Sequence, residues 1–287
     1  MARMRRIMVG ALNITMHPHA PERYAELFQD LHAAGYIVKV RGADCGMIGT
    51  VQHVEADRDV LYGSLWRFLN LDPNEPWLDT KTRRAIDPEN GAPIIPENLK
   101  PHLRKIEYVF ATNGHRLFFD TKKMSPSIVK TLIERLCDVE AIKKKYGEIA
   151  VTIESEQESL ETIMELERRA MIDIFLHRPN ADDLSAEKKR ALKRLTDQNA
   201  ATVNEVLKAP RGGDLKPDKE TRALMNLAMS NGHIKSVGYT KDDERVEMNT
   251  ADHPLKESVQ YDPDTETLFE ILIDTARNLM KRLRKRG

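Results

Sequence analysis

Residues 106–119 read IEYVFATNGHRLFF and predict an antiparallel hairpin. Apolar and aromatic side chains fill its two arms, Ile106–Ala111 and His115–Phe119. Between the arms lies Asn113-Gly114, the dipeptide that tight type I′ turns favour. Because such a turn joins neighbouring antiparallel strands, we expect the chain to contain an antiparallel or mixed sheet.

A strand, a helix and a second hairpin precede this segment. Residues 6–16 are rich in Ile, Val, Leu and Thr, which favour a buried strand. Pro21 suits the first position of a helix, and apolar residues follow it at helical spacing. These residues are Tyr24, Leu27, Phe28 and Leu31. Two further strands are predicted at Cys45–Val54 and Val60–Leu71.

The hairpin is followed by more helices and strands. Ser125-Pro126 predicts a helix start, and Gly147–Ile153 predicts a strand. A charged helix is predicted over Ser185–Leu207, and a second helix over Lys219–Met229. Later residues predict a hairpin and a final helix, at His233–Thr240, Arg245–Asn249 and 264–284. This order indicates an α+β fold, a mixed or antiparallel sheet with packed helices, rather than alternating parallel units.

We predict two domains. Residues 1–153 form an N-terminal α+β domain with a long Pro-rich loop at 72–104, and residues 154–287 form an α+β half that ends in a long basic helix. Six prolines lie within residues 73–101, which excludes a continuous helix or a central strand there. We expect that loop to be ordered mainly by a partner, a second subunit or a ligand.

The composition is that of a folded protein. Of 287 residues 40% are apolar, and 45 Lys and Arg balance 45 Asp and Glu, which excludes a uniformly cationic coat for nucleic acid. No stretch approaches the ~20 apolar residues that span a bilayer. Cys45 and Cys137 cannot form a disulfide framework, so we expect a cytoplasmic protein with both thiols free.

Common catalytic motifs are absent from the sequence. It contains no GxSxG, no GxxxxGK[ST] and no GxGxxG, so no catalytic residue and no cofactor is predicted. His17 and His19 are the best candidates for metal ligands, but a metal would need further ligands that the sequence does not identify. The simpler interpretation is two partly exposed imidazoles in a loop that enters a helix.

Cationic residues are clustered in two segments of the second half. The final helix carries Arg277, Lys281, Arg282, Arg284, Lys285 and Arg286, and the earlier helix carries Lys188, Lys189, Arg190, Lys193 and Arg194. Such clusters in a chain of zero net charge favour contacts with nucleic-acid phosphates. The alternative is a solubilising tail whose charges suit a helix C-terminus.

Four segments resemble a bacterial family of this length that carries a domain-of-unknown-function label and is associated with phage defence. They are NITMHPHAPERYAELF, KVRGADCGMIGTV, NGHRLFFDTK and NGHIKSVGYTKDDERVEMNT. The order of elements is also similar to that of the phage-exclusion protein RexA and of the Kiwa defence component KwaB. The resemblance implies a dimer or larger assembly that binds DNA with weak sequence preference, and it supplies no catalytic residues.

Three functional hypotheses remain open on the sequence. The first is a homo-oligomeric nucleic-acid-binding protein of anti-phage defence, with DNA preferred over RNA and no contact with membranes. The second is a metal-dependent nuclease or nucleotide-processing effector. The third is a protein-interaction subunit that grips a partner through the Pro-rich loop.

Overall fold

The computed structural model describes most of the chain and confirms an α+β fold of antiparallel sheets and packed helices. The described residues are 4–55, 57–72, 74–87, 96–180 and 186–286, without the side chains of residues 186–188, 285 and 286. The strands are β1 (Arg5–Met16), β2 (Val38–Arg41), β3 (Asp44–Val54), β4 (Asp57–Leu69), β5 (Trp77–Asp79), β6 (Arg84–Ile86), β7 (Arg104–Ala111), β8 (Arg116–Asp120), β9 (Ile149–Ile153), β10 (Arg168–His177), β11 (Thr202–Lys208), β12 (Gly232–Tyr239), β13 (Arg245–Asn249) and β14 (Glu257–Tyr261). The helices are α1 (Pro21–Ala34), α2 (Pro126–Cys137), α3 (Glu140–Tyr146), α4 (Gln157–Glu165), α5 (Ala186–Asp197), α6 (Lys219–Asn231) and α7 (Leu268–Arg286).

The larger sheet has the strand order β14-β1-β8-β7-β4-β3-β2. Strand β1 pairs with β8 along one edge, and β14 and β9 share its other edge. Helices α1, α2 and α3 cover one face over a core rich in aromatic side chains. Helix α7 covers the opposite face, where Leu272 and Leu279 are buried as the apolar stripe predicts.

The smaller sheet has the order β11-β10-β12-β13. Side chains of β10 alternate across it, so that Ile172, Ile174 and Leu176 point into a core shared with α4, α5 and α6. Backbone hydrogen bonds tie this unit to the larger sheet, because Ser155 N–H, next to β9, donates to the Met229 carbonyl of α6. The smaller sheet and its helices are therefore attached to the larger sheet next to β9.

Two local predictions are wrong in detail. The Asn113-Gly114 connection is a 3-10 turn, and the left-handed residue is His115 with φ 46°, so the turn is not type I′. The charged segment 185–207 is not one helix, because α5 ends at Asp197 and residues 202–208 form β11. Strand β11 pairs with β10 over its whole length, and this pairing outweighs local helix propensity.

The Pro-rich segment contains a short hairpin, β5 and β6, which the sequence did not predict. The prediction that a partner orders this segment stays a prediction. The boundary between 1–153 and 154–287 also stays a prediction, although β14 and α7 follow it in the sequence and pack on the larger sheet. Cys45 and Cys137 are buried and free, as predicted. Of the described helices, none is both long enough and apolar enough to cross a membrane.

Candidate functional site

The smaller sheet has one face that no described helix covers. On β10, Met171, Asp173, Phe175 and His177 alternate with the core residues and point to this face. Strand register places residues of the neighbouring strands beside them. These neighbours are Thr202, Asn204, Val206, Lys208, His233, Lys235, Val237, Tyr239, Arg245, Glu247 and Asn249. We call this surface the open face.

Three rings form a continuous aromatic surface on the open face. Phe175 and His233 are cross-strand partners, with ring centroids 5.3 Å apart and planes 31° from parallel. The ring of His177 meets that of Phe175 edge-on at 5.0 Å. All three side chains are partly exposed. This ring cluster, defined as Phe175, His177 and His233, has the flat exposed rings on which planar groups stack.

Cationic side chains lie farther along the open face, where Lys235 is the cross-strand partner of Asp173 and Lys208 that of Met171. Lys235 and Lys208 are exposed on the same face. At the far end the guanidinium of Arg168 lies 3.9 Å from the ring centre of Tyr239, and it also pairs with Asp243 at 2.7 Å. Such an arrangement of rings and cations suits a ligand that carries both planar groups and negative charge.

The open face ends at a cleft with a volume of about 930 Å³. His177, Arg178 and Thr202 line it, together with polar residues of α2. Residues at the ends of β1 and β9 line it as well. Since His177 belongs to both the ring cluster and the cleft, the two surfaces are continuous.

The charges within the cleft leave two arginines without a carboxylate. Glu134 pairs with Lys130 at 2.6 Å, and Lys143 lies 3.0 Å from Glu148 and 3.7 Å from Asp138. Among the described residues, neither Arg135 nor Arg178 forms an ion pair with any acid. These two guanidinium groups therefore give the cleft a local positive charge.

Burial lowers the pKa of three imidazoles around this surface. For His177 the nearby Lys130 and His233 lower the pKa further, and Glu134 opposes them. Burial also lowers the pKa of His233, as do Lys235 and Lys130, whereas Asp173 raises it. The pKa of His17 is lowered by burial and by the charge of Arg178, although its hydrogen bond to the Arg178 carbonyl raises it. All three rings are therefore mainly neutral at pH 7.

We expect these imidazoles to make folding stability depend on pH. Their pKa values lie below the ordinary 6.5 in the folded chain, so the unfolded chain binds protons more readily as the pH falls. The contribution of the neutral imidazoles to folding stability is complete above pH 6.5 and is lost progressively below it. Urea unfolding measures the free energy of unfolding at pH 7 and at pH 5.5. The drop in this free energy between the two pH values should be smaller for His177→Gln than for the parent. An equal difference in the two proteins would contradict this expectation.

A buried polar network lies where the two sheets meet. The Glu154 carboxylate is fully buried, and it accepts from Arg116 Nε at 2.7 Å and from Ser230 Oγ at 2.8 Å. Beside it Asn13 Nδ2 donates to Asn231 Oδ1 at 2.9 Å. The network joins strands of the larger sheet to α6 and thereby holds the open face in position relative to the cleft.

The predicted cations of α7 lie on the larger sheet, and two of them are neutralised. Arg277 contacts Asp57 at 3.3 Å and Asp274 at 3.5 Å, while Arg282 contacts Glu257 at 2.5 Å. Lys281 and Arg284 are exposed, form no ion pair with a described residue, and border a groove of about 210 Å³. The side chains of Lys285 and Arg286 lie outside the described residues.

The predicted cations of α5 lie on the helix-covered side of the smaller sheet, away from the ring cluster. Lys193 pairs with Asp197, and Arg194 lies 3.9 Å from Glu205. Lys189 and Arg190 are exposed, and the side chain of Lys188 is outside the described residues. The cationic cluster of α5 therefore lies over the smaller sheet, and that of α7 lies over the larger sheet.

Of the α7 cations, we expect only the unpaired Lys281 and Arg284 to contribute to phosphate binding. Replacing Lys281 and Arg284 by alanine should flatten the slope of log affinity against log salt by about 0.7 for each lost contact with a single strand. The matched control replaces Arg277 and Arg282, which removes the same charge but leaves carboxylates unpaired. Titrations at several salt concentrations measure both slopes, and an unchanged slope in the first variant would exclude α7 from the interface.

His17 and His19 have partners in the protein. His17 Nε2 lies 3.2 Å from the Arg178 carbonyl, and His19 Nδ1 lies 3.3 Å from the Tyr24 hydroxyl. Within the described ranges no group of three or more His, Cys, Asp or Glu is arranged to hold a metal ion. The structure therefore adds no ligand to the pair that the sequence suggested.

The ring cluster was not predicted from the sequence. Alternate positions in residues 171–177, MIDIFLH, would have placed Phe175 and His177 on one face, but nothing local indicates that His233 lies opposite Phe175. No curated protein matches the chain. Residues 5–277 match the family model described as Domain of unknown function (DUF4747), and the chain therefore belongs to that family.

Proposed function

We propose that this protein binds single-stranded nucleic acid on the open face, with little preference for sequence. The observation that carries the proposal is the ring cluster on an uncovered antiparallel sheet, with Lys235 and Lys208 farther along the same face. Unpaired bases stack on exposed aromatic rings whatever their identity, because every base has a π-face. Lysine and arginine contribute phosphate contacts that do not depend on sequence.

The rings favour a single strand over a duplex. In a duplex the bases are stacked on each other and present only their edges, so they cannot lie on Phe175 or His233. The nearby cations would attract either form. A preference for single strands therefore reports on the rings, and salt dependence reports on the cations.

The direct test is binding of labelled oligonucleotides of one sequence as single-stranded DNA, single-stranded RNA and duplex DNA. We expect both single strands to bind more tightly than the duplex, and the affinity to fall as salt increases. A second, unrelated sequence should bind with similar affinity. Binding of the duplex alone, or of no oligonucleotide at low salt, would overturn the proposal.

We further propose that the protein acts in the bacterial cytoplasm as a homo-oligomer in anti-phage defence. Support comes from the resemblance of its segments to a family with that association. Plaque counts on cells that express the parent or Phe175→Ala test this role. We expect the parent to lower plaque numbers more than the variant does. Equal plaque numbers with and without the parent, across several phages, would contradict it.

A second candidate function is protein interaction through the Pro-rich segment. A hollow of about 590 Å³ lies there, lined in part by Ile37, Trp77 and Leu99. Leu99 is 58% exposed and Ile37 is 48% exposed, so the hollow presents apolar surface to the solvent. A partner bound there should protect residues 72–101 from limited proteolysis. Equal cleavage with and without a co-purified protein would remove this candidate.

A further inference from the structure

The cleft has the size and the position of an end-binding site for a strand that lies on the ring cluster. Its volume of about 930 Å³ is near the upper end of the range for cavities that enclose small ligands, so it has room for a nucleotide. Because His177 belongs to both surfaces, a strand that stacks on Phe175 and His233 can extend directly into the cleft. There it meets residues of α2 and residues next to the ends of β10 and β11.

The charges of the cleft match a phosphate group. The three acids that line it share two lysines, since Lys130 pairs with Glu134 and Lys143 contacts both Asp138 and Glu148. Arg178 and Arg135 both line the cleft and form no ion pair with a described carboxylate, and Arg135 also donates a hydrogen bond to the Lys39 carbonyl of β2. The backbone of Arg178 lies beside His17, another lining residue, because the Arg178 carbonyl is 3.2 Å from His17 Nε2.

We propose that the cleft binds the terminal phosphate of a single strand, an inference that rests on the proposed binding of single strands to the open face. A terminal phosphate monoester carries about −1.5 to −2 charges at pH 7 and presents three acceptor oxygens, whereas an internal diester carries a single charge. Guanidinium groups donate paired hydrogen bonds to such oxygens. Two arginines that line one cleft therefore favour a strand end over the interior of a strand.

The experiment compares four forms of one oligonucleotide: with a 5′-phosphate, with a 3′-phosphate, with hydroxyls at both ends, and circular. We expect one phosphorylated form to bind about tenfold more tightly than the hydroxyl form, which is the effect of one charge-assisted contact. The circular form should bind like the hydroxyl form. The two phosphorylated forms show which end enters the cleft.

Variants assign the preference to the cleft. The double variant Arg135→Ala, Arg178→Ala should bind all four forms with the affinity that the parent has for the circular one. Arg190→Ala, which removes an exposed arginine from α5, is the control and should keep the preference. Equal melting temperatures exclude loss of folding as the cause.

The inference and the proposed function can fail separately. Equal binding of all four forms by the parent would overturn the terminal site and leave binding to the open face intact. A preference that survives in the double variant would also overturn it, because the phosphate would then bind elsewhere. If no form binds, the proposed function fails, and the terminal site fails with it.

Discussion

Replacing Glu154 by alanine is expected to lower the free energy of unfolding by about 3–5 kcal/mol. The carboxylate is fully buried and holds Arg116, whose side chain is only 14% exposed, together with the hydroxyl of Ser230. Its removal leaves a largely buried guanidinium without a counter-charge and an unpaired hydroxyl at the junction of the sheets. Urea unfolding followed by circular dichroism measures the loss.

Two further variants separate the charge from the packing. Glu154→Gln keeps an acceptor for Ser230 and should lose less stability than the alanine variant. Asp197→Ala removes an exposed partner of Lys193 and should change stability by no more than about 1 kcal/mol. A loss for Glu154→Ala as small as that for Asp197→Ala would show that the buried pair does not hold the sheets together.

The second large effect is expected for binding. Phe175→Ala should weaken the binding of single strands by about 1–3 kcal/mol, or about 5- to 150-fold in Kd, because stacking on one aromatic ring contributes that much. Phe175 lies between His177 and His233, so its loss also separates the remaining rings. Fluorescence anisotropy with labelled single-stranded DNA and RNA measures the change.

The matched control for this variant is Val206→Ala. Val206 is 46% exposed on the same face but has no ring, so its replacement should leave the affinity nearly unchanged. Phe175→Trp keeps a stacking surface and should keep most of the affinity. If Phe175→Ala binds as tightly as the parent while both proteins remain folded, the ring cluster is not the binding surface.

The sequence predicted the long and strongly patterned elements well. Strand β1 and helices α1 and α6 have dense apolar patterns, and each lies close to its predicted position. Strands β11 and β14 were missed because they are edge strands of seven and five residues, TVNEVLK and ESVQY, in which polar and apolar residues do not alternate strictly. Their conformation depends on pairing with β10 and β1, and local sequence carries little of that information.

The candidate site was harder to predict for the same reason. A basic cluster is visible in a sequence as a run of letters, but its ion pairs are not, and partners such as Asp57 for Arg277 are distant in the chain. The ring cluster depends on the register that sets His233 opposite Phe175. The cleft depends on how β9 and α6 join the sheets. Each of these is a long-range arrangement, and the periodicity of apolar residues along the chain cannot predict it.

The edge of β1 that β14 and β9 share has a consequence for biosynthesis. Arg6 and Ser258, which hydrogen-bond between β1 and β14, are 252 positions apart, so the ribosome completes β14 long after β1 has emerged. During that interval the backbone of residues 5–9 lacks its partner strand, and the apolar side chains that α7 will cover face water. An uncovered edge of this kind is a template for pairing with other chains. Nascent chains should therefore need chaperones at this stage, and products truncated before residue 257 should aggregate rather than persist as smaller folded proteins.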